Sequence, residues 1–178
     1  MPLYDAYGSI PHSKITTQTR RGREIDNLQP WQYSSFEWKQ LDEYPNKYEA
    51  LGAVRLNEPC PVYNCHGLTF ASRRTQVEGS AATLTAILDD DGYERIPEGR
   101  TTTGDIVIYY IGGLPEHSGI VMGRVTGRSG TDEIKIWSKW GKGNEWVHPV
   151  NICPWADSQR YFYRMTKWKP EEISIQSS

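Results

Sequence analysis

From Gly104 onward the chain is a succession of strand-type segments separated by turn signals, and this constrains its fold more than any other feature. GDIVIYYIGG is apolar on both faces over residues 105–111, the mark of a central strand. The turn GGLPE leads into HSGIVMGRV, a second strand over residues 117–125. TGRSGTDE reads as a turn by its Gly, Ser and Asp content. EIKIWSKW follows as a third strand, with Ile134, Ile136 and Ser138 on one face. EWVHPV is a short fourth, and RYFYRM, residues 160–165, a fifth. Connections this short join neighbouring strands antiparallel.

Upstream the texture is different. Residues 1–30 are polar, with a basic cluster at Arg20, Arg21 and Arg23 and no sustained period, and read as an extended or poorly ordered arm. WQYSSFEWKQLDEYPNKYEAL predicts one or two short helices broken at Pro45, and residues 53–56 a short strand. Ser80 caps a second helix over residues 81–88, which ends in Asp89, Asp90 and Asp91, three carboxylates solvated past the helix end. The whole reads as α+β: helices first, then an antiparallel sheet of about five strands. Residues 31–168 form the domain, and residues 169–178 a tail.

Between the two halves lies YNCHGLTFASRRT, residues 63–75. Asn64 is a preferred N-cap, and Leu68, Ala71 and Thr75 fall on one side at helical spacing, so Cys65 sits in the first turn of a helix. A cysteine there has its thiolate favoured by the helix dipole and free N–H groups. Gly67 costs helix stability, and a bare Cα there lets another group approach the sulfur. The competing reading is a buried structural cysteine. Three cysteines exclude a complete disulfide framework, and free thiols in a reducing compartment are the simplest reading; a Cys60–Cys65 bridge is the alternative.

Cysteine hydrolysis needs an imidazole to activate the thiol and a third group to orient that imidazole. Of four histidines, His12 lies in the arm. His66 adjoins Cys65, and adjacent helix positions do not face each other, which makes it a poor base. His117 opens a strand just after a Gly/Pro turn, and His148 sits late in the sheet.

The succession CHGLTFA, GDIVIYY, HSGIVMG resembles the papain-like cysteine peptidases of the NlpC type and their CHAP relatives. The resemblance covers residues 63 to about 164 and implies Cys65 as nucleophile and His117 as base and acid. The family's helix usually begins Cys-Ser-Gly, where this chain has Cys65-His66-Gly67. WSKWG is similar to the Asn-Ser-Trp-Gly segment of papain-type enzymes: Ser138 falls where the orienting Asn stands and Trp140 where the shielding Trp stands. Lys139 is the residue nearest to the Glu that CHAP relatives carry, and His148 is a rival for the third role. Tyr63, Asn64 and Trp140 are the candidate substrate contacts.

The resemblance implies a thiol amidase or peptidase without a cofactor, acting on a peptide, a peptidoglycan stem or a protein. Deamidation and acyl transfer run through the same thioester. The net charge of −2 draws the chain toward neither nucleic acid nor anionic membrane, and no apolar run spans a bilayer. The first residues lack a secretory pattern, so the expected location is the cytoplasm or delivery without such a signal, as an effector or toxin with a protein partner or inhibitor. Two alternatives stand beside it. Cys60, Cys65, His66 and His148 are metal-ligand types at a spacing unlike a zinc knuckle. Trp137, Trp140, Trp146 and Trp155 would form the aromatic platform of a non-catalytic binding module.

Overall fold

The computed structural model describes residues 3–4, 11–41, 45–126, 130 and 132–166. The expected tail over residues 169–178 and most of residues 1–10 lie outside the described residues. The amino-terminal half holds β1 (Leu3–Tyr4), β2 (Pro11–Ser13), β3 (Asn27–Pro30), α1 (Ser35–Gln40), α2 (Pro45–Ala50) and β4 (Val54–Arg55). Next come α3 (Cys65–Ala71), β5 (Gln76–Val77), α4 (Ala81–Asp91) and β6 (Tyr93–Ile96). The rest is β7 (Ile106–Ile111), β8 (Leu114–Thr126), β9 (Asp132–Lys139), β10 (Glu145–Pro149) and β11 (Gln159–Met165).

Seven strands form one antiparallel sheet in the order β4-β10-β9-β8-β7-β11-β6, and β1-β2-β3-β5 form a second. This corrects the expected fold, an α+β papain-like arrangement of amino-terminal helices on about five strands. Strand predominates, and α1, α2 and α3 run only six, six and seven residues, too short to build a layer. The short strand expected over residues 53–56 is β4, at one edge, whereas β6, at the other edge, was not expected because its side chains carry no alternating pattern. Nor does the last strand pair with the fourth. Turns after β10 carry the chain across, and β11 inserts between β7 and β6.

Side chains alternate across β7. Val107 and Tyr109 join Val121, Ile136 and Trp140 on one face. Ile108 meets Ala71 of α3, Leu84 and Ile87 of α4 and Val77 of β5 on the other. Helices α3 and α4 therefore cover one face, with the second sheet beside them.

The acidic run does not end α4, which continues to Asp91 and is closed by Gly92 at φ 73°. Asp90 is buried and accepts from Thr19 Oγ1 at 2.8 Å and from Arg23. Asp91 accepts from the Arg20 backbone N–H. Residues 19–23 are thereby fastened to α4 rather than splayed into solvent. No helix among the described residues is long and apolar enough to cross a membrane.

Candidate active site

Asn64 caps α3: its Oδ1 accepts from the backbone N–H of Gly67 at 2.8 Å and of Val77 at 3.2 Å, and its Nδ2 donates to the Val77 carbonyl. Its carbonyl oxygen is thus used in joining α3 to β5. The next residue, Cys65, is 6% exposed. All three cysteines are free. Burial alone would push the Cys65 thiol up, but the charge of His66 and the nearness of both imidazoles, His66 and His117, hold it well below its ordinary value.

His117 lies opposite Tyr109 across β7 and β8, fully buried. Its ring stacks on Trp155 with centroids 3.8 Å apart and planes 7° from parallel. Neither ring nitrogen has a partner of hydrogen-bond geometry, although the ring is close enough to Cys65 to lower its thiol. Burial, only partly opposed by Cys65, pulls His117 below the ordinary imidazole value, so it is neutral. A buried, unpaired N–H costs about 1–3 kcal/mol. That cost is tolerated where the group has a proton to exchange.

His66 is the opposite case. Nδ1 lies 2.9 Å from Ser118 Oγ, which lies 2.9 Å from Thr69 Oγ1, which donates to the Cys65 carbonyl at 2.9 Å. A Cβ on Gly79 would come within 2.9 Å of His66 Nε2, so the chain passes close over the ring. Burial pulls His66 down, but Cys65, the Pro115 carbonyl and Glu116 together raise it above the ordinary value.

Ser138 and His148 meet each other rather than His117. Trp140 Nε1 donates to Ser138 Oγ at 3.1 Å, and Ser138 Oγ lies 2.8 Å from His148 Nε2. His148 Nδ1 donates to the Pro149 carbonyl at 2.8 Å, which leaves Nε2 as the acceptor for the Ser138 proton. Burial pushes His148 down to about 3. The imidazole of His117 is held by the Trp155 stack, where the sequence led us to expect a hydrogen-bonding Ser138 or His148. Trp155 showed only as one of several late tryptophans.

Between the two flanks of α3 and the sheet lies a buried carboxylate. Glu145 accepts from Tyr63 Oη at 2.5 Å, Arg73 Nε at 2.7 Å and Trp137 Nε1 at 2.8 Å. Burial, then the bond to Glu145, push Tyr63 up to about 12, so it stays a donor. Arg73 reaches Glu145 from a left-handed backbone at φ 66°, just after Ser72 at φ 50° ends α3 in the same region. These contacts fasten both ends of α3 to β9 and β10. Lys139, pulled down to about 8 by burial, lies 4.3 Å over the Tyr63 ring and donates to the Gly143 carbonyl.

Burial would raise the Glu145 carboxyl, but Arg73, Tyr63 and Trp137 hold it below the usual range. Its contribution to stability is therefore present above the ordinary value near 4 and is lost as pH falls through the native one. Glu145→Gln is expected to destabilise the protein by about 2 kcal/mol at pH 7. It should also flatten the loss of stability below about pH 4. Urea unfolding from pH 7 to pH 3 measures both effects.

Among the described residues, no cluster of three or more His, Cys, Asp or Glu has the placement to hold a metal ion. Trp140 and Trp146 stack on each other in the core, and Trp137 serves Glu145, so the late tryptophans form no open platform. Trp31 and Trp38, 57% and 63% exposed, do offer open rings. With Tyr33 and Pro61 they line a groove of about 670 Å³. Tyr33 and Lys139 both donate to the Lys142 carbonyl, which ties the groove to the turn beside the site. Compared with known proteins, the chain matches no family model, no curated protein and no solved structure.

Proposed function

We propose that the protein is a cysteine-dependent amide hydrolase with Cys65 as nucleophile and His117 as the proton carrier. The observation that carries this is a buried cysteine beside two histidines, one of which has both ring nitrogens unpartnered. The thiol proton passes to His117 as sulfur attacks the amide carbon. The Cys65 backbone N–H, one of those that α3 leaves without an intrahelical partner, stabilises the oxyanion. His117 gives its proton to the leaving amine, then takes one from water as the thioester is hydrolysed, and the thiol is restored.

The substrate we favour is a peptide amide, in a peptidoglycan stem or a protein. Pro61, four residues before Cys65, lines the groove of Trp31, Tyr33 and Trp38, and that groove supports an extended ligand. Three free thiols favour action in a reducing compartment, the cytoplasm of the producing cell or of a cell that receives the protein. The test is amine release from isolated muropeptides and from unfolded protein, in wild type and in Cys65→Ala. Release that persists in a folded Cys65→Ala variant would remove the proposal. Trp31→Ala and Trp38→Ala are expected to raise KM roughly fivefold with little change in kcat, since each removes an aromatic contact worth about 1 kcal/mol.

A further inference from the structure

Resting on Cys65 and His117 as the reacting pair, we propose that Trp155 is the positioning residue of the site: its indole face replaces a hydrogen-bonding third group and holds His117 most firmly when that ring is charged. Neutral aromatic rings avoid direct face-to-face stacking and settle offset or edge-on, with centroids about 4.5–7 Å apart. Two histidines of this protein show the difference. His148 meets Trp140 in the ordinary way, edge-on at 5.6 Å and 61°, and both of its nitrogens are hydrogen-bonded. His117 lies flat on Trp155, with centroids 3.8 Å apart, planes 7° from parallel and both nitrogens unpartnered. So short a separation leaves the rings little lateral offset. The negative face of the indole then lies directly over the imidazole, the geometry in which it attracts a cation.

The chain after β10 builds this stack. It crosses to β11 by successive turns, in which Ile152 N–H donates to the Pro149 carbonyl, Ala156 to Cys153 and Ser158 to Trp155. One end is fixed where Val150 N–H donates to the Ile134 carbonyl and the Val150 carbonyl accepts from Tyr109 Oη. Cys153 is buried in the core, and Trp155 packs against that core. The plane of His117 is thus set through its face, which leaves its edge free for proton transfer. A carboxylate or amide in the third role would occupy one of the two nitrogens. As sulfur bonds to the amide carbon, its proton moves to a His117 nitrogen. As the carbon–nitrogen bond breaks, the same proton moves to the leaving amine. The ring carries a charge only between those events, where burial opposes it. The indole face offsets that cost in the charged state alone, which is how a contact speeds a reaction rather than merely holding its parts. The titratable groups set around the ring are Cys65 and His66 on α3, Tyr109 on β7 and His148 on β10; Asp157, on the turn, acts on Cys153.

The test is alkylation of Cys65 against pH, read by mass spectrometry, in three proteins beside wild type: Trp155→Phe, Trp155→Leu, and one with a tryptophan fluorinated on its benzo ring at position 155. Fluorine keeps the shape of the indole and drains its negative face. The fluorinated ring is expected to move the Cys65 curve to higher pH by about half a unit or more, because the charged imidazole loses support. Trp155→Leu, which has no aromatic face, should move it furthest, and Trp155→Phe less. On a peptide amide the same order should appear in kcat, with KM nearly constant. A curve that stays in place under fluorination, or equal shifts in Trp155→Phe and Trp155→Leu, would reduce Trp155 to core packing and overturn the proposal. Should Trp155→Leu fail to fold, the fluorinated protein decides. Alkylation needs no substrate, so absence of amide turnover in wild type would remove the hydrolase reading and leave the role of Trp155 standing.

Discussion

Replacing Cys65 with alanine is expected to lower amide turnover roughly 10⁴-fold or more, and His117→Ala nearly as far. The two act as one unit. Without the sulfur the imidazole has nothing to activate, and without the imidazole the leaving amine departs unprotonated. The double variant should therefore be little worse than either single one. Ser138→Ala and His148→Ala provide the comparison. Those side chains bond to each other and to Trp140 and Pro149, with no bond to His117, so their loss should act on stability more than on turnover. Progress curves for the five proteins on one peptide substrate, with unfolding midpoints, separate the two kinds of effect. Equal losses of turnover in Ser138→Ala and His117→Ala would mean that Ser138 orients the imidazole after all.

Gly67→Ala should be the most damaging conservative substitution in α3. A helix propensity argument favours it by about 1 kcal/mol. The structure opposes it more strongly. A Cβ at Gly67 would stand 1.9 Å from the Thr75 carbonyl oxygen and 3.1 Å from the Tyr63 Cβ. Thr75 has little room to retreat, since it is fully buried and its hydroxyl bonds to Asn27 of β3. The expected loss is about 3 kcal/mol or more, the upper range for an overpacked core. Urea denaturation at pH 7 measures it. A stabilised variant would show that the approach of Thr75 to α3 is wrong. Gly67 thus makes room for the returning chain rather than for a ligand near the sulfur.

The strands from Ile106 to Met165 were legible because β7 is apolar on consecutive residues and β9 alternates cleanly. The Asn64 cap and Cys65 in the first turn of α3 were legible for the same local reason. What escaped was non-local. The second sheet is made of two- to four-residue strands in polar sequence, which carry no period. Asp90 looked like the solvated end of a helix, and only Thr19 and Arg23, far away in sequence, reveal it as an anchor. Adjacency to Cys65 argued against His66 as a base, and that argument concerned only the helix. Its ring is placed by Ser118 on β8, which no helical spacing announces. The expected third member failed similarly: Ser138 and His148 are close partners, but of each other.

The account turns on the ionisation of one thiol. Alkylation of each cysteine in the wild-type protein, followed by mass spectrometry from pH 5 to pH 11, reads it without any assumption about substrate. Cys65 is predicted to react well below the ordinary thiol pKa of about 8.5 despite its burial. Cys153, which burial pushes up to about 11, should stay silent until the end of the range, and half-buried Cys60 serves as the comparison for access. His117→Ala should move the Cys65 curve toward higher pH. A Cys65 that reacts only above about pH 8.5, or whose curve ignores His117, would contradict the account and leave a buried structural cysteine in its place.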